Sequence, residues 1–153
     1  MSDHTDIVMP DDAGEHASGL ADILHRIPHQ WGRWIRVRKG WYPLIIELDQ
    51  ALAAIDPHYE VHQAKEKFGE LRFYYAPSDC ATNPQAMSDL VTAAEQRSTQ
   101  ICEVCGATGP DVHLNSKDRF YIQTLCMTCA ARRDQTASSV DGEPEERKDG
   151  EVD

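Results

Sequence analysis

Two cysteine pairs, Cys102-Glu-Val-Cys105 and Cys126-Met-Thr-Cys129, stand twenty residues apart in a chain of 153 residues. Each Cys-x-x-Cys is a tight turn that brings two sulfurs to one point. Two such turns place four thiolates around one ion, the set that zinc takes in tetrahedral geometry at a Zn–S distance of about 2.3 Å. Four sulfurs fill that shell. A catalytic zinc keeps one position for water, so the chemistry expected here is structural. Two disulfides or four free thiols also fit the count. The spacing, and a first stretch without the basic-then-apolar order of a secretory leader, favour one zinc held by Cys102, Cys105, Cys126 and Cys129 in a reducing cytoplasm. The fifth cysteine, Cys80, sits in a Ser-Asp-Cys-Ala-Thr stretch with nothing beside it to activate the thiol.

The elements that must position these sulfurs are partly legible. Ile101–Gly106 reads as a knuckle, with Gly106 free to take a positive φ. Residues 107–118 are rich in Gly, Pro, Asp, Asn and Ser and read as loop. Arg119–Leu125 reads as a strand, and the second pair runs into Ala130-Ala-Arg-Arg133, a good helix former. A helix beginning at the third or fourth ligand turns its positive end towards the thiolates. Knuckle, hairpin and helix in that order describe a treble-clef-like module; a zinc ribbon with two knuckles and no helix is the alternative.

Upstream the pattern is α+β. Leu20, Ile23, Leu24 and Ile27 recur at helical spacing until Pro28. The clearest helix follows Gly40-Trp-Tyr-Pro43, with Leu44, Ile45, Leu48, Leu52 and Ile55 on one face and Asp56-Pro57 as its stop. Tyr59–Gln63 and Glu70–Tyr75 alternate around Lys65-Glu-Lys-Phe-Gly69, which predicts a β-hairpin. Asn83-Pro84 opens a further helix over about 84–99 with Met87, Leu90, Val91, Ala94 and Ser98 inward. The fold class expected is α+β: helix, β-hairpin, helix, then the four-cysteine module. The boundaries expected are a disordered acidic tail over 1–19, an α+β domain over 20–100, a zinc module over 101–134 packed on it, and a disordered acidic tail over 135–153.

Charge is segregated. The first 22 residues carry −6 and the last 20 carry −6, so the stretch between holds +1 of the formal total of −11. A near-neutral domain between acidic termini points first to a protein partner. A nucleic-acid partner is the alternative. It would rest on Trp31, Arg33, Trp34, Arg36, Arg38 and Lys39, where bases and aromatics interleave, and on Lys117, Arg119, Arg132 and Arg133 beside the zinc. The plainer reading of 31–41 is that its tryptophans pack a core; pairing with the chain's own acidic tail is a third. No stretch approaches 18 apolar residues, so no membrane span is expected.

Gly40-Trp-Tyr-Pro-Leu-Ile45, Lys65-Glu-Lys-Phe-Gly69 leading into Leu71-Arg-Phe-Tyr74, Cys102-Glu-Val-Cys-Gly106 and Leu125-Cys-x-x-Cys129 together resemble a group of small bacterial and phage zinc-knuckle proteins. The likeness covers about residues 40–133. It implies a zinc-knuckle domain of bacterial or phage origin, and it brings no activity and no catalytic residue with it. Inhibiting or adapting a host or defence complex is the form of protein binding such an origin suggests. Enzyme readings fit less well. Asp111-Val-His-Leu-Asn115 resembles the histidine loop of an HNH nuclease, but Ala130 stands where a second histidine would follow the last knuckle. A zinc deaminase needs His-x-Glu and Pro-Cys-x-x-Cys, and neither occurs. The chain thus reads as a non-enzymatic, zinc-stabilised binding module.

Overall fold

The computed structural model describes residues 6–116 and 121–139, with side chains through residue 135. Four helices and two antiparallel hairpins appear among them. In chain order they are α1 (Ala17–His25), α2 (Tyr42–Ile55), β1 (Glu60–Lys67), β2 (Glu70–Ala76), α3 (Pro84–Ser98), β3 (His113–Ser116), β4 (Ile122–Leu125) and α4 (Met127–Ser139). No helix among the described residues is long and apolar enough to cross a membrane.

The larger core lies between helices and the first hairpin. α2 buries Leu44, Ile45, Leu48 and Leu52; α1 adds Leu20, Ile23 and Leu24; α3 adds Met87, Val91 and Ala94. Asn83 caps α3 by accepting the Ala86 N–H at 3.1 Å, and Pro84 fills the first turn, where its missing N–H costs nothing. The hairpin turns Val61, Ala64, Leu71 and Phe73 inward. Val61 and Ala64 are three apart, which strict alternation forbids; a register shift between Val61 and Gln63 supplies the extra residue. The turn is two residues, Phe68 and Gly69, both at positive φ (56° and 81°). That matches the twist a two-residue hairpin needs. Glu66 accepts the Gly69 N–H at 2.6 Å and steadies it.

One buried acid is fully engaged in this core. Asp49, on the inward face of α2, accepts from Arg26 Nε at 2.7 Å and from the Tyr59 hydroxyl. Arg26 also stacks over the Tyr59 ring at 4.7 Å.

Several expectations change at the ends of elements. Residues 6–19 were expected without order, yet Val8 N–H donates to the Arg33 carbonyl at 2.8 Å, Asp12 accepts the Tyr42 hydroxyl at 2.7 Å, and Ala13 is buried. Their few apolar residues carry no period of their own; long-range contacts with 33 and 42 supply the order. The loop expected over 107–118 contains β3. Of the strand expected over 119–125, β4 covers 122–125; residues 117–120 lie outside the described residues. α4 starts at Met127 and runs to Ser139, past the expected onset of disorder; residues 1–5 and 140–153 lie outside the described residues.

Candidate metal centre

The first pair is set by a turn that closes on itself. Cys102 N–H donates to the Ala107 carbonyl at 2.8 Å, and Gly106 N–H donates to the Cys102 carbonyl at 2.9 Å. Gly106 sits at φ 84°, where a side chain would be strained. The second pair is set by β4 and α4. Cys126 follows the last residue of β4, and Cys129 lies in the first turn of α4. Cys129 N–H faces Cys126 Sγ at 3.4 Å, so the positive end of α4 points into the sulfurs.

The four Sγ atoms lie within 4.8 Å of one another, and Cys105 and Cys126 are 3.8 Å apart. Sulfurs arranged tetrahedrally at about 2.3 Å from zinc stand about 3.8 Å from each other. The donor set and its spacing therefore fit one metal ion. No pair is a disulfide, whose sulfurs would be about 2.05 Å apart. Cys102, Cys126 and Cys129 are buried; Cys105 is exposed.

Electrostatics at the four sulfurs are uneven. Burial works against ionising Cys102, but the N–H groups of Cys105, Cys126 and Val104 outweigh it and bring this thiol down to about 7. Burial pushes Cys105 and Cys129 up, Cys129 strongly; the Cys102 and Cys126 sulfurs add to both, and the Ala107 N–H and Cys129 oppose the rise at Cys105. Cys102 ionises readily, while Cys105 and Cys129 resist. A bound divalent cation reverses that resistance, because it supplies the positive charge that four thiolates lack.

Between the two ligands of the knuckle lies Glu103, 1% exposed. Its backbone N–H donates to the Thr124 carbonyl at 3.0 Å, and its carboxylate accepts the Thr124 N–H at 2.9 Å. Its carbonyl accepts the Gly40 N–H at 2.9 Å. The Thr124 hydroxyl donates to the Gly69 carbonyl at 2.6 Å. The Trp41 indole donates to the Ile101 carbonyl at 2.9 Å. Four stretches scattered along the sequence thus meet at one seam: the start of α2, the tip of the first hairpin, the knuckle and β4. Burial pushes the Glu103 carboxyl up to about 7; the Thr124 N–H and Arg38 oppose that, and Glu66 and Cys102 add to it. In the sequence Glu103 stands only as the first of two residues between the knuckle cysteines. An acid inside a turn looks solvated until the strand that covers it is known.

Of the ten residues grouped for nucleic acid, eight lie among the described residues. Arg33 is buried and anchors the fold: Nε donates to the Ile27 carbonyl at 2.6 Å and Nη1 to Asp6 at 3.1 Å. Trp31, Trp34 and Arg36 are exposed, with Arg36 over the Trp34 ring at 5.6 Å. Arg38 is exposed, 3.7 Å from Glu103. Lys39 lines a cleft with Gly40, Cys105 and Gly106. Arg132 is exposed on α4, while Arg133 donates to Gln123 at 3.2 Å and lies over Tyr121. Lys117 and Arg119 lie outside the described residues. His113, the residue behind the nuclease comparison, is exposed on β3 opposite Leu125. Cys80 is exposed in a turn.

Comparisons with family models, with curated proteins and with solved structures find no match to this chain. The functional reading therefore stands on the geometry.

Proposed function

We propose that this chain is a non-enzymatic binding module stapled by one structural zinc. The observation that carries the reading is the four-sulfur cluster, whose spacing suits a closed tetrahedral shell. A closed shell leaves no position for a substrate, and the seam around Glu103 ties the cluster to the rest of the fold. The order knuckle, hairpin, helix, with the second pair carried at the start of α4, supports the treble-clef-like form over a ribbon.

Two exposed surfaces suit a ligand. Phe68 and Leu114 are 60% and 63% exposed beside Gly69, and this apolar tip suits a protein partner. The protein-first reading of the sequence leaned on acidic termini, of which residues 1–5 and 140–153 lie outside the described residues. A second reading, nucleic acid, is favoured by the exposed Trp31, Trp34 and Arg36. The experiment for the module itself is Cys126→Ser. It should release the metal and abolish the cooperative melt of residues 101–135, because site formation and folding are coupled. Full metal content and an unchanged melt would contradict the reading.

A further inference from the structure

The outer face of the β1–β2 hairpin carries a pattern that the metal centre does not explain. Arg36 lies against the edge of β1: its N–H donates to the Ala64 carbonyl at 2.9 Å, and its carbonyl accepts the Glu66 N–H at 3.0 Å. This bridge sets Arg36 beside Lys65, and Lys65 is directly opposite Arg72 in the hairpin register. Three cations therefore form a row across three adjacent backbones spaced about 4.8 Å apart. Like charges placed opposite each other destabilise a sheet. Arg72 is relieved by Glu70 at 3.0 Å. Among the described residues, no carboxylate lies within ion-pair distance of Arg36 or Lys65.

Two residues along the strands, about 7 Å away, the same face changes character. Gln63 pairs with Tyr74, which is exposed. Trp34 stands under Arg36. The bulge leaves His62 half-buried, and the Trp31 ring packs against it, tilted, at 4.1 Å between ring centres. Glu60 reaches His62 at 3.2 Å. Trp31 and Trp34 are 47% and 42% exposed, whereas Trp41 is fully buried. Two large aromatics held in water beside a cation row match a ligand that is both flat and anionic.

We infer that this face binds single-stranded nucleic acid, with bases stacking on Trp31, Trp34 and Tyr74 and phosphates lying on Arg36, Lys65 and Arg72. Stacking makes the recognition tolerant of sequence, because every base has a π-face. An acidic peptide would answer the cations but leave the tryptophans without a purpose. The inference rests on the binding-module reading and names its ligand.

The test uses the full, metal-loaded chain and a fluorescein-labelled oligothymidylate of about 12 nucleotides, within the site sizes such surfaces cover. Fluorescence anisotropy should show saturable binding. With three phosphate contacts at a log–log slope of about −0.7 each, affinity should fall about 20-fold between about 50 and 200 mM salt. Trp31→Ala and Trp34→Ala should each weaken binding at least about fivefold, the low end of stacking on one base. Arg36→Glu with Lys65→Glu should flatten the salt slope by about 1.4. Metal content and thermal melt, read on every variant, keep a folding defect from passing as a binding defect. Absence of binding at about 100 μM, the weak end of non-specific affinity, with one metal per chain would overturn the inference and leave the module reading intact. Binding that survives all these substitutions would overturn it too. So would a protein partner that Trp31→Ala releases while the oligonucleotide goes unbound.

Discussion

The backbone N–H of Gly40 donates to the carbonyl of Glu103 at 2.9 Å, so the first residues leading into α2 are bonded to the middle of the cysteine knuckle. The approach is close enough that a Cβ on Gly40 would collide with the carbonyl oxygen of Cys102 and stand 2.6 Å from the carbonyl carbon of Glu103. Both are backbone atoms, which cannot swing aside as the end of a side chain can. The cysteine cluster and the helical core are therefore joined through this contact.

Gly40→Ala should open the seam. Overpacking of this kind costs about 1–3 kcal/mol, and the knuckle would shift with it. Urea denaturation should show the loss, and a chelator should strip the metal faster from the variant. Equal stability and equal metal retention would mean the seam is not a coupling.

Glu103→Ala removes the acceptor for the buried Thr124 N–H. An unpaired buried donor costs about 1–3 kcal/mol. Glu103→Gln keeps an acceptor and should recover most of the loss. Guanidinium melts of the two variants, both metal-loaded, check this. If glutamine were as damaging as alanine, charge and not the hydrogen bond would be the cause.

Phe68 is, among the described residues, the one non-glycine with positive φ, and it is 60% exposed. The left-handed region costs an ordinary side chain about 1–2 kcal/mol. Asparagine tolerates it better, so Phe68→Asn should raise stability by about 1 kcal/mol. Thermal unfolding should show the gain. A clear loss would mean the phenyl ring contributes packing that its exposure hides.

Asp56, at the end of α2, accepts the Ser78 hydroxyl at 2.7 Å and the Ser78 N–H at 2.8 Å. Burial works to raise its carboxyl, but Ser78, together with His58, outweighs it and holds the pKa below the ordinary value. The unfolded chain then binds the proton more readily, so stability rises with pH between the folded value and about 3.9. The contribution is present above that window and is lost as pH falls through it. Urea midpoints across the acid range should show a steeper decline in the wild type than in Asp56→Asn. Parallel profiles would refute the assignment.

How far the fold was legible depends on how local each signal is. Each Cys-x-x-Cys turn needs no information from elsewhere, whereas the meeting of the two turns depends on the pairing of Glu103 with Thr124. α2 and α3 follow from apolar period and from Pro43 and Pro84, and they end within a residue or two of expectation. Glu103, Thr124 and Gly69 form their seam only after three elements have docked, and nothing in each local sequence marks them. Trp41 and Trp31 are the same residue type within one short stretch, yet one is buried and the other exposed. The bulge at His62, which sets the outer face of the hairpin, likewise arises from pairing and not from the strand's own composition.

The central claim is that the four cysteines hold one zinc that the fold requires. Native mass spectrometry of protein purified without chelator tests it most directly. The account predicts one zinc per chain, lost together with compact charge states when Cys105→Ser or Cys126→Ser is introduced. A compact, cooperatively folded chain that carries no metal would contradict it.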